Sequence, residues 1–210
     1  MMEAIILAGG LGTRLNKVVK DVPKPMATVD GKPFLFYVLS WLKKYNYKRV
    51  IISAGYKSDS IESYFGNDFR GIFIDYAIED KPLGTGGALK FALKKTEGKN
   101  ILALNGDTYF PIDLNKFLLT HIENNHLFSI ALKRMKNFSR YGSVKCRGNT
   151  IIKFNEKKLC RDGLINGVIY LIDKQFIESK QFPEVFSLEK DILEKEVQTS
   201  VLKCQIFEDV

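Results

Sequence analysis

Cysteine and histidine are scarce in this sequence of 210 residues, and neither type is spaced to bind a metal. The three cysteines, Cys146, Cys160 and Cys204, are odd in number and form no CxxC pair. The two histidines, His121 and His126, lie elsewhere in the chain. A zinc site or a disulfide framework requires a regular spacing of these residues, so we expect neither.

Long uncharged apolar segments are also missing. No run of about 18 such residues is present, so no transmembrane helix is expected. The N-terminus carries Glu3 and then a glycine loop, where a signal peptide has basic residues followed by an apolar segment. These absences predict a cytoplasmic protein that does not associate with a membrane.

Charges of one sign do not cluster along the chain. It has 32 Lys and Arg against 24 Asp and Glu, a formal net charge of +8, yet no block of five basic residues. A contiguous basic stripe is typical of nucleic-acid binding, so we expect no nucleic-acid partner and favour small polyanionic substrates. With 45% hydrophobic and 27% charged residues, the composition is typical of one globular domain, residues 1–210.

Apolar runs and helical periodicities alternate in the first half of the chain. The expected elements are a strand at 3–7, a helix from 34, a strand at 49–54, a helix at 57–65, a strand at 72–78, a helix after Gly87 and a strand in NILALNGD. This alternation predicts an α/β fold with a Rossmann-like, mainly parallel sheet flanked by helices, and ligands beyond the carboxyl ends of its strands. Short strands follow at 127–134, 142–146, 151–155 and 164–171, and we expect this smaller β-rich part to cover the first half as a substrate-facing layer.

A glycine-rich loop follows the first strand, in EAIILAGGLGTRLNKVVKDVPKPM (3–26). Such a loop lets backbone N–H groups converge on an anion. The dinucleotide pattern GxGxxG fails at Leu15, and the Walker A pattern fails because GK[ST] is absent. Arg14 ends the loop, and Lys24 lies between Pro23 and Pro25, which stiffen the backbone that carries it. A triphosphate or pyrophosphate site is favoured over a tight turn followed by a solvated basic loop.

The motifs of this chain resemble those of the sugar-phosphate nucleotidyltransferases. The resemblance rests on GGLGTRL, PKPM and VDGKP, followed in order by PLGTGGAL, LNGD, YGSV, FNEK and NGVIY. It implies an enzyme that joins a sugar 1-phosphate to a nucleoside triphosphate and releases pyrophosphate. Residues 1–126 would then form a nucleotide-binding half and residues 127–210 a sugar-phosphate-binding half. The resemblance leaves a homodimer open.

The resemblance assigns nucleotide-binding roles to the glycine loop. It implies that base and ribose contact Leu7, Ala8, Gly9, Gly10, Gly12 and Thr13. Arg14 would contact the departing pyrophosphate, and Lys24 would bridge the reacting phosphates. The second glycine motif would contact the base through Gly84, Thr85, Gly86 and Gly87, ahead of a helix. A flexible turn with Thr85 as helix N-cap is the structural alternative, and it is compatible with that role.

Asp107 follows a strand in LNGD and is expected to bind Mg²⁺ beside the phosphates, with a turn cap as the alternative. In the family a second metal ligand comes from a D-[IV]-G-T-P-like segment, which does not occur before the chain stops at FEDV. Asp209 is a weak substitute for it. Either the tail has been lost or the metal site is incomplete, which leaves a non-catalytic nucleotide-binding regulator on the same fold as an alternative.

The sugar phosphate is expected to contact the second half of the chain. Glu156 would accept hydrogen bonds from sugar hydroxyls and Lys157 would neutralise the phosphate, although Lys158 stands where the family usually has Pro. Gly142 and Asn166 are further sugar contacts. Within the family, the heptose and hexose 1-phosphate enzymes are most similar, through LGTGGA and LINGVIY, which implies GTP and a manno-configured heptose 1-phosphate. A uridylyl- or thymidylyltransferase acting on a hexose 1-phosphate is the alternative.

Overall fold

The computed structural model describes residues 2–9 and 22–208. Its strands are β1 (Glu3–Leu7), β2 (Thr28–Val29), β3 (Lys32–Pro33), β4 (Arg49–Ala54), β5 (Asp68–Phe69), β6 (Ile72–Ile78), β7 (Asn100–Asn105), β8 (Phe128–Phe138), β9 (Gly142–Arg147), β10 (Thr150–Lys157), β11 (Cys160–Asp173) and β12 (Leu202–Phe207). Its α-helices are α1 (Phe34–Lys44), α2 (Ser58–Phe65), α3 (Gly84–Leu93), α4 (Leu114–Glu123), α5 (Lys174–Glu178) and α6 (Glu194–Glu196). Other helical turns are 3-10 turns at Lys24–Met26 and Val197–Thr199 and a π-helix at Leu188–Leu193.

Strands from both halves of the chain form one mixed sheet in the order β5-β6-β4-β1-β7-β11-β8-β12-β10-β9, and β2 pairs with β3 in a separate hairpin. Strands β6, β4, β1 and β7 are parallel to one another, as the alternation of the first half predicts. In the second half, β11 joins β7 in antiparallel pairing and also pairs with β8. Thus α/β is confirmed as the fold class. The sheet is mixed: in the first half β5 pairs antiparallel with β6, and in the second half β12 pairs parallel with β8.

Helices cover both faces of this sheet. In β1, Ala4 and Ile6 pack in one hydrophobic core with residues of α1, α2 and α4, while Ile5 packs in the other core with residues of α3 and α5. Each face of a strand is therefore buried, which is why β1 is a continuous apolar run and not an alternating one. The burial of both faces also fixes the carboxyl end of β1 beside that of β7.

Two expectations about the fold were wrong. The second half does not lie over the first as a separate layer, because its strands extend the same sheet. Helix α3 begins at Gly84, so the glycines form its first turn and do not precede it. The structural alternative, Thr85 as helix N-cap, is also wrong, because the N-cap of α3 is Leu83. Helix α4 and strand β12 were not anticipated, and β12 is inserted between β8 and β10.

Within residues 2–9 and 22–208, no helix is long and apolar enough to cross a membrane.

Candidate functional site

A cavity of about 310 Å³ lies at the carboxyl ends of the parallel strands. Strand β1 ends there at Leu7 and β7 at Asn105, and these two residues are direct partners in the sheet. The cavity is lined by Leu7, Ala8, Gly9, Lys24, Pro25, Glu79, Pro82, Gly84, Thr85, Ala88, Asn105 and Asp107. The fold therefore brings together three motifs that are far apart in sequence: the first glycine loop, PLGTGGAL and LNGD. We call this space the nucleotide cavity, after the role predicted for these motifs.

Many of the predicted nucleotide-binding residues line the nucleotide cavity. They are Leu7, Ala8, Gly9, Lys24, Gly84, Thr85 and Asp107. The remaining residues predicted from the first loop lie outside the described residues: Gly10, Gly12, Thr13 and Arg14. Asp209, the weak substitute for a second metal ligand, also lies outside them.

Lys24 begins a 3-10 turn directly after Pro23, and the next two residues of the turn, Pro25 and Met26, are buried. The buried part of the turn anchors the backbone, while the Lys24 side chain remains 29% exposed at the nucleotide cavity. Its Nζ lies 3.4 Å from Oδ2 of Asp107. Two groups of opposite charge thus face the same space, and a polyanion with a metal ion could engage both.

Asp107 follows β7 and presents a partly exposed carboxylate to the nucleotide cavity. Within the described ranges there is no cluster of three or more acidic, histidine or cysteine side chains that could hold a metal ion. A single carboxylate is nevertheless compatible with Mg²⁺, which usually keeps several waters and takes one or two carboxylates together with substrate phosphates. The donor set at Asp107 therefore fits a metal that arrives with a nucleotide, and it does not fit a site built from protein ligands alone.

The glycines of PLGTGGAL pack against the segment that precedes the π-helix. The amides of Gly86 and Gly87 donate hydrogen bonds to the carbonyl oxygen of Phe186, at 3.0 and 3.3 Å. Gly84 has a φ of +73°, and a Cβ built on it would lie 2.5 Å from the same carbonyl oxygen. Gly84 lines the nucleotide cavity, whereas Gly86 is buried against the Phe186 ring. The glycines of this motif are thus explained in part by close packing against the segment that contains Phe186.

Glu79 also lines the nucleotide cavity, although it belongs to none of the sequence motifs named above. Its Oε2 accepts a hydrogen bond from the amide of Leu83 at 3.0 Å, and its Oε1 accepts one from the Ser53 hydroxyl at 3.3 Å. Partial burial raises the pKa of the Glu79 carboxyl above its usual value, against the effect of these two hydrogen bonds. A carboxylate directly after strand β6 was a usable signal, because ligands bind beyond the carboxyl ends of parallel strands.

A second cavity, of about 500 Å³, is formed by the second half of the chain. Its lining residues are Gly142, Val144, Phe154, Asn155, Lys157, Asn166, Glu189, Leu193 and Glu194. Three of the four predicted sugar-phosphate residues are among them. The fourth, Glu156, belongs to β10, but its side chain is outside the described part of the structure. We call this space the sugar cavity, after the role predicted for these residues.

Asn166 is held in the sugar cavity by two hydrogen bonds. Its Oδ1 accepts from the amide of Val168 at 2.8 Å, and its Nδ2 donates to the hydroxyl of Tyr170 at 2.9 Å. Val168 has a φ of +53°, which is costly for a β-branched residue, and it lies where the register between β11 and β8 shifts. The backbone amide of this bulge fixes the orientation of the Asn166 side chain, because only the oxygen can face an N–H donor.

Thr85 and Glu189 connect the two cavities. Thr85 lines the nucleotide cavity, and its hydroxyl donates to Oε2 of Glu189, which lines the sugar cavity, at 2.7 Å. The Thr85 hydroxyl oxygen in turn accepts from the amide of Leu188 at 2.9 Å. The two cavities therefore share a wall, and Thr85 serves as a link within it, where the sequence suggested an N-cap.

Comparison with known proteins gives consistent results. The sequence profile of the family described as Nucleotidyl transferase matches residues 3–206. A D-glycero-alpha-D-manno-heptose 1-phosphate guanylyltransferase from Aneurinibacillus thermoaerophilus is 50% identical over 195 residues, covering 93% of this chain and 85% of the relative. The enzyme of the same name from Campylobacter jejuni is 45% identical over 209 residues, covering 99% and 92%. A crystal structure of HddC from Yersinia pseudotuberculosis complexed with GMP-PN has a TM-score of 0.86 at 35% identity, covering 99% of this chain and 91% of that one.

Proposed function

The chain belongs to the nucleotidyl transferase family and is a sugar 1-phosphate nucleotidyltransferase, and we propose that it transfers the guanylyl group of GTP to D-glycero-D-manno-heptose 1-phosphate. In this reaction a phosphate oxygen of the sugar 1-phosphate forms a bond to the α-phosphorus of GTP. The bond from that phosphorus to the bridging oxygen breaks, and pyrophosphate leaves. The products are a GDP-heptose and pyrophosphate.

The observation that carries the choice of GTP is the carboxylate of Glu79 in the nucleotide cavity. Guanine presents two neighbouring donors, N1–H and N2–H₂, on its Watson–Crick edge, and an ionised carboxylate is an acceptor only. Uracil and thymine have one donor there between two carbonyl oxygens, which a carboxylate repels. Cytosine and adenine pair a donor with an unprotonated ring nitrogen. Among these five bases, guanine therefore complements Glu79 best, and the names of the two relatives and the GMP-PN bound to HddC support the same base.

Charge neutralisation at the phosphates is assigned to Lys24 and to the Mg²⁺ that Asp107 would hold. In-line attack between two polyanions builds negative charge, which a positioned cation lowers in energy. Lys24 would contact the reacting phosphates, and Arg14 the leaving pyrophosphate. Asp107 would hold Mg²⁺, which when bound supplies Lewis-acid polarisation of the phosphoryl oxygens. The residues of this chain contribute orientation and charge, and no covalent intermediate on the protein is required.

The sugar cavity is assigned to the heptose 1-phosphate. Its volume of about 500 Å³ has room for a seven-carbon sugar, and Lys157 supplies a cation for the phosphate. Gly142, Glu156 and Asn166 remain proposed contacts of the sugar. The two heptose 1-phosphate guanylyltransferase relatives support heptose as the sugar.

The proposal extends to the cellular setting. A GDP-activated heptose is a suitable precursor for capsule or lipopolysaccharide. The cytoplasm stays the proposed compartment, since the cysteines lack the spacing of a disulfide framework. The homodimer stays a prediction, which light scattering of the purified protein would test.

The decisive experiment measures pyrophosphate release for each of GTP, UTP, dTTP, CTP and ATP against several sugar 1-phosphates, with Mg²⁺ present. We expect the highest kcat/KM for GTP with the manno-configured heptose 1-phosphate. A higher kcat/KM for another nucleotide would contradict the guanylyl assignment, and a higher value for a hexose 1-phosphate would contradict the heptose assignment. Tight nucleotide binding without pyrophosphate release from any pair would instead indicate a regulator on this fold.

A further inference from the structure

Glu189 is a carboxylate of the sugar cavity that no motif of the sequence identified. It lies in the π-helix Leu188–Leu193 and lines the cavity together with Lys157 and Asn166. Its position is fixed by contacts with a distant part of the chain, because Thr85 is 104 residues away in sequence. A carboxylate at this place needs a physical explanation, since it faces a cavity and is not paired with a cation in the described part of the chain.

One oxygen of the Glu189 carboxylate is held by the protein. Oε2 accepts from the Thr85 hydroxyl at 2.7 Å and from the Ser187 hydroxyl at 2.9 Å. Among the residues that the structure describes, all donors to the Glu189 carboxylate reach Oε2. The carboxylate is therefore oriented by one oxygen, and Oε1 keeps its acceptor capacity for a ligand.

The charge of Glu189 also acts on the Tyr170 hydroxyl, which positions Asn166. Burial raises the pKa of the Tyr170 hydroxyl, and the negative charge of Glu189 raises that pKa further. The same hydroxyl accepts the hydrogen bond from Nδ2 of Asn166. Glu189 and Asn166 thus act on one region of the sugar cavity, from the π-helix and from strand β11.

The two side chains are complementary in their hydrogen-bonding capacity. Since Oδ1 of Asn166 is directed to the Val168 amide, its Nδ2 remains as the donor with a second N–H. Glu189 is an acceptor only. A sugar hydroxyl both donates and accepts, so a donor and an acceptor that face the same space suit a pair of ring hydroxyls.

Building on the function proposed above, we propose that Glu189 binds hydroxyl groups of the sugar 1-phosphate and determines which sugar is accepted, with Thr85 and Ser187 as the residues that position its carboxylate. A sugar that lacks the matching hydroxyl, or carries it on the other face of the ring, leaves the carboxylate desolvated without a donor. That loss discriminates strongly between sugars, because an unpaired charged acceptor is costly. Thr85, a wall residue of the nucleotide cavity, thereby contributes to recognition of the sugar.

The test compares Glu189→Gln with the wild type in steady-state kinetics and in calorimetric binding of the heptose 1-phosphate. The variant keeps the size of the side chain and loses its charge. We expect the KM and the Kd for the sugar 1-phosphate to rise by about tenfold to a hundredfold, which is the range for a hydrogen bond to a charged group. The KM for GTP should stay within about twofold, and the variant should discriminate less between the heptose 1-phosphate and its epimers or deoxy analogues.

Asp191→Asn is the matched control, since Asp191 is an acidic residue of the same helical turn. Its Oδ2 accepts from the Ser187 amide at 2.9 Å, and its Oδ1 accepts from Lys195 at 3.1 Å, so its role is structural. We expect this control to lower the melting temperature without changing the KM for the sugar. Thr85→Val, which removes the hydroxyl that orients Glu189, should raise the KM for the sugar although Thr85 lines the other cavity.

The outcomes separate this inference from the proposed function. If the wild type turns over GTP and heptose 1-phosphate while Glu189→Gln keeps the wild-type KM and Kd for the sugar, the role of Glu189 is wrong and the function stands. If the wild type binds the sugar 1-phosphate but releases no pyrophosphate, the proposed reaction is wrong and the Kd of the variant still decides the role of Glu189. If the wild type binds no sugar 1-phosphate, both are wrong.

Discussion

Nζ of Lys24 lies 3.4 Å from Oδ2 of Asp107, across the nucleotide cavity and 83 residues away in sequence. Both side chains are partly exposed, at 29% and 39%. An ion pair with this exposure contributes only about 0.2–1 kcal/mol to stability. Its main consequence is to hold an ammonium and a carboxylate close together. Phosphates can then replace Asp107 as the partner of Lys24, and a metal ion can replace Lys24 as the partner of Asp107.

Lys24→Ala should reduce kcat/KM by about a hundredfold or more, because it removes a positioned cation from the charge-building step. The melting temperature should change little, since the ion pair with Asp107 is weak. Circular dichroism and pyrophosphate release check the two expectations. Lys116→Ala, which removes an exposed lysine of α4, is the matched control and should behave as wild type. Wild-type turnover in folded Lys24→Ala would remove Lys24 from the mechanism.

Asp107→Asn should abolish Mg²⁺-dependent turnover, whereas GTP binding measured in the absence of metal should weaken by no more than about twofold. The amide keeps the shape of the side chain and loses the negative charge that a hard divalent cation requires. A titration of activity with Mg²⁺ tests this directly. An unchanged Mg²⁺ dependence would identify Asp107 as a turn residue.

Glu79→Gln should reduce the preference for GTP over UTP by about tenfold or more, because the amide can donate to the carbonyl oxygens of uracil. The ionised carboxylate is the form that accepts from guanine. Burial raises its pKa, so the KM for GTP should rise as the pH falls through that raised pKa, at a higher pH than for an exposed glutamate. This pH dependence should be absent from Glu79→Gln. An unaltered nucleotide preference in the variant would exclude Glu79 as the base-reading residue.

Gly84→Ala should destabilise the fold by more than about 1 kcal/mol, through backbone strain and a steric clash together. The φ of +73° disfavours any side chain, and the new Cβ would lie 2.5 Å from the Phe186 carbonyl oxygen. Gly148→Ala is the control for strain alone, since Gly148 has a φ of +58° and no atom within 4 Å of a built Cβ. Chemical denaturation of both variants measures the difference. Equal losses would mean that the Phe186 segment moves aside without cost.

His121 should make the protein less stable in mild acid. Burial lowers its pKa to about 4, with a further decrease from the neighbouring His126. Because the unfolded chain takes up a proton near pH 6.5 and the folded chain does not, stability should fall between pH 6.5 and 4, by about 3 kcal/mol for this one group. Urea unfolding at several pH values measures the slope. His121→Asn keeps a polar atom for the Ser129 hydroxyl, which contacts Nδ1 at 2.8 Å, and should give a flatter slope. An identical slope would assign the acid sensitivity to other groups.

Features governed by neighbours in sequence could be predicted well. The strands at Glu3–Leu7, Arg49–Ala54 and Ile72–Ile78 have the boundaries that their apolar runs indicate. The positions of glycine and proline residues indicated the loops. The order of the motifs identified the family. Helix α3 was misplaced by one turn because glycines normally end helices, whereas here the Phe186 carbonyl accepts their amides and stabilises them within a first turn.

Contacts between distant segments could not be predicted. Neither Glu79 nor Glu189 stands in a glycine motif. Strand pairing brings Glu79 to one cavity, and contact of the π-helix with Thr85 holds Glu189 at the other. The thiols of Cys146 in β9 and Cys204 in β12 also meet at 3.2 Å, although they are 58 residues apart in sequence. The sequence by itself determined most of the elements, the glycine motif and the class of chemistry, since these depend on local periodicity and residue type. The tertiary structure alone decided which carboxylates line the two cavities, because the order of strands in a sheet is set by long-range packing and not by neighbouring residues.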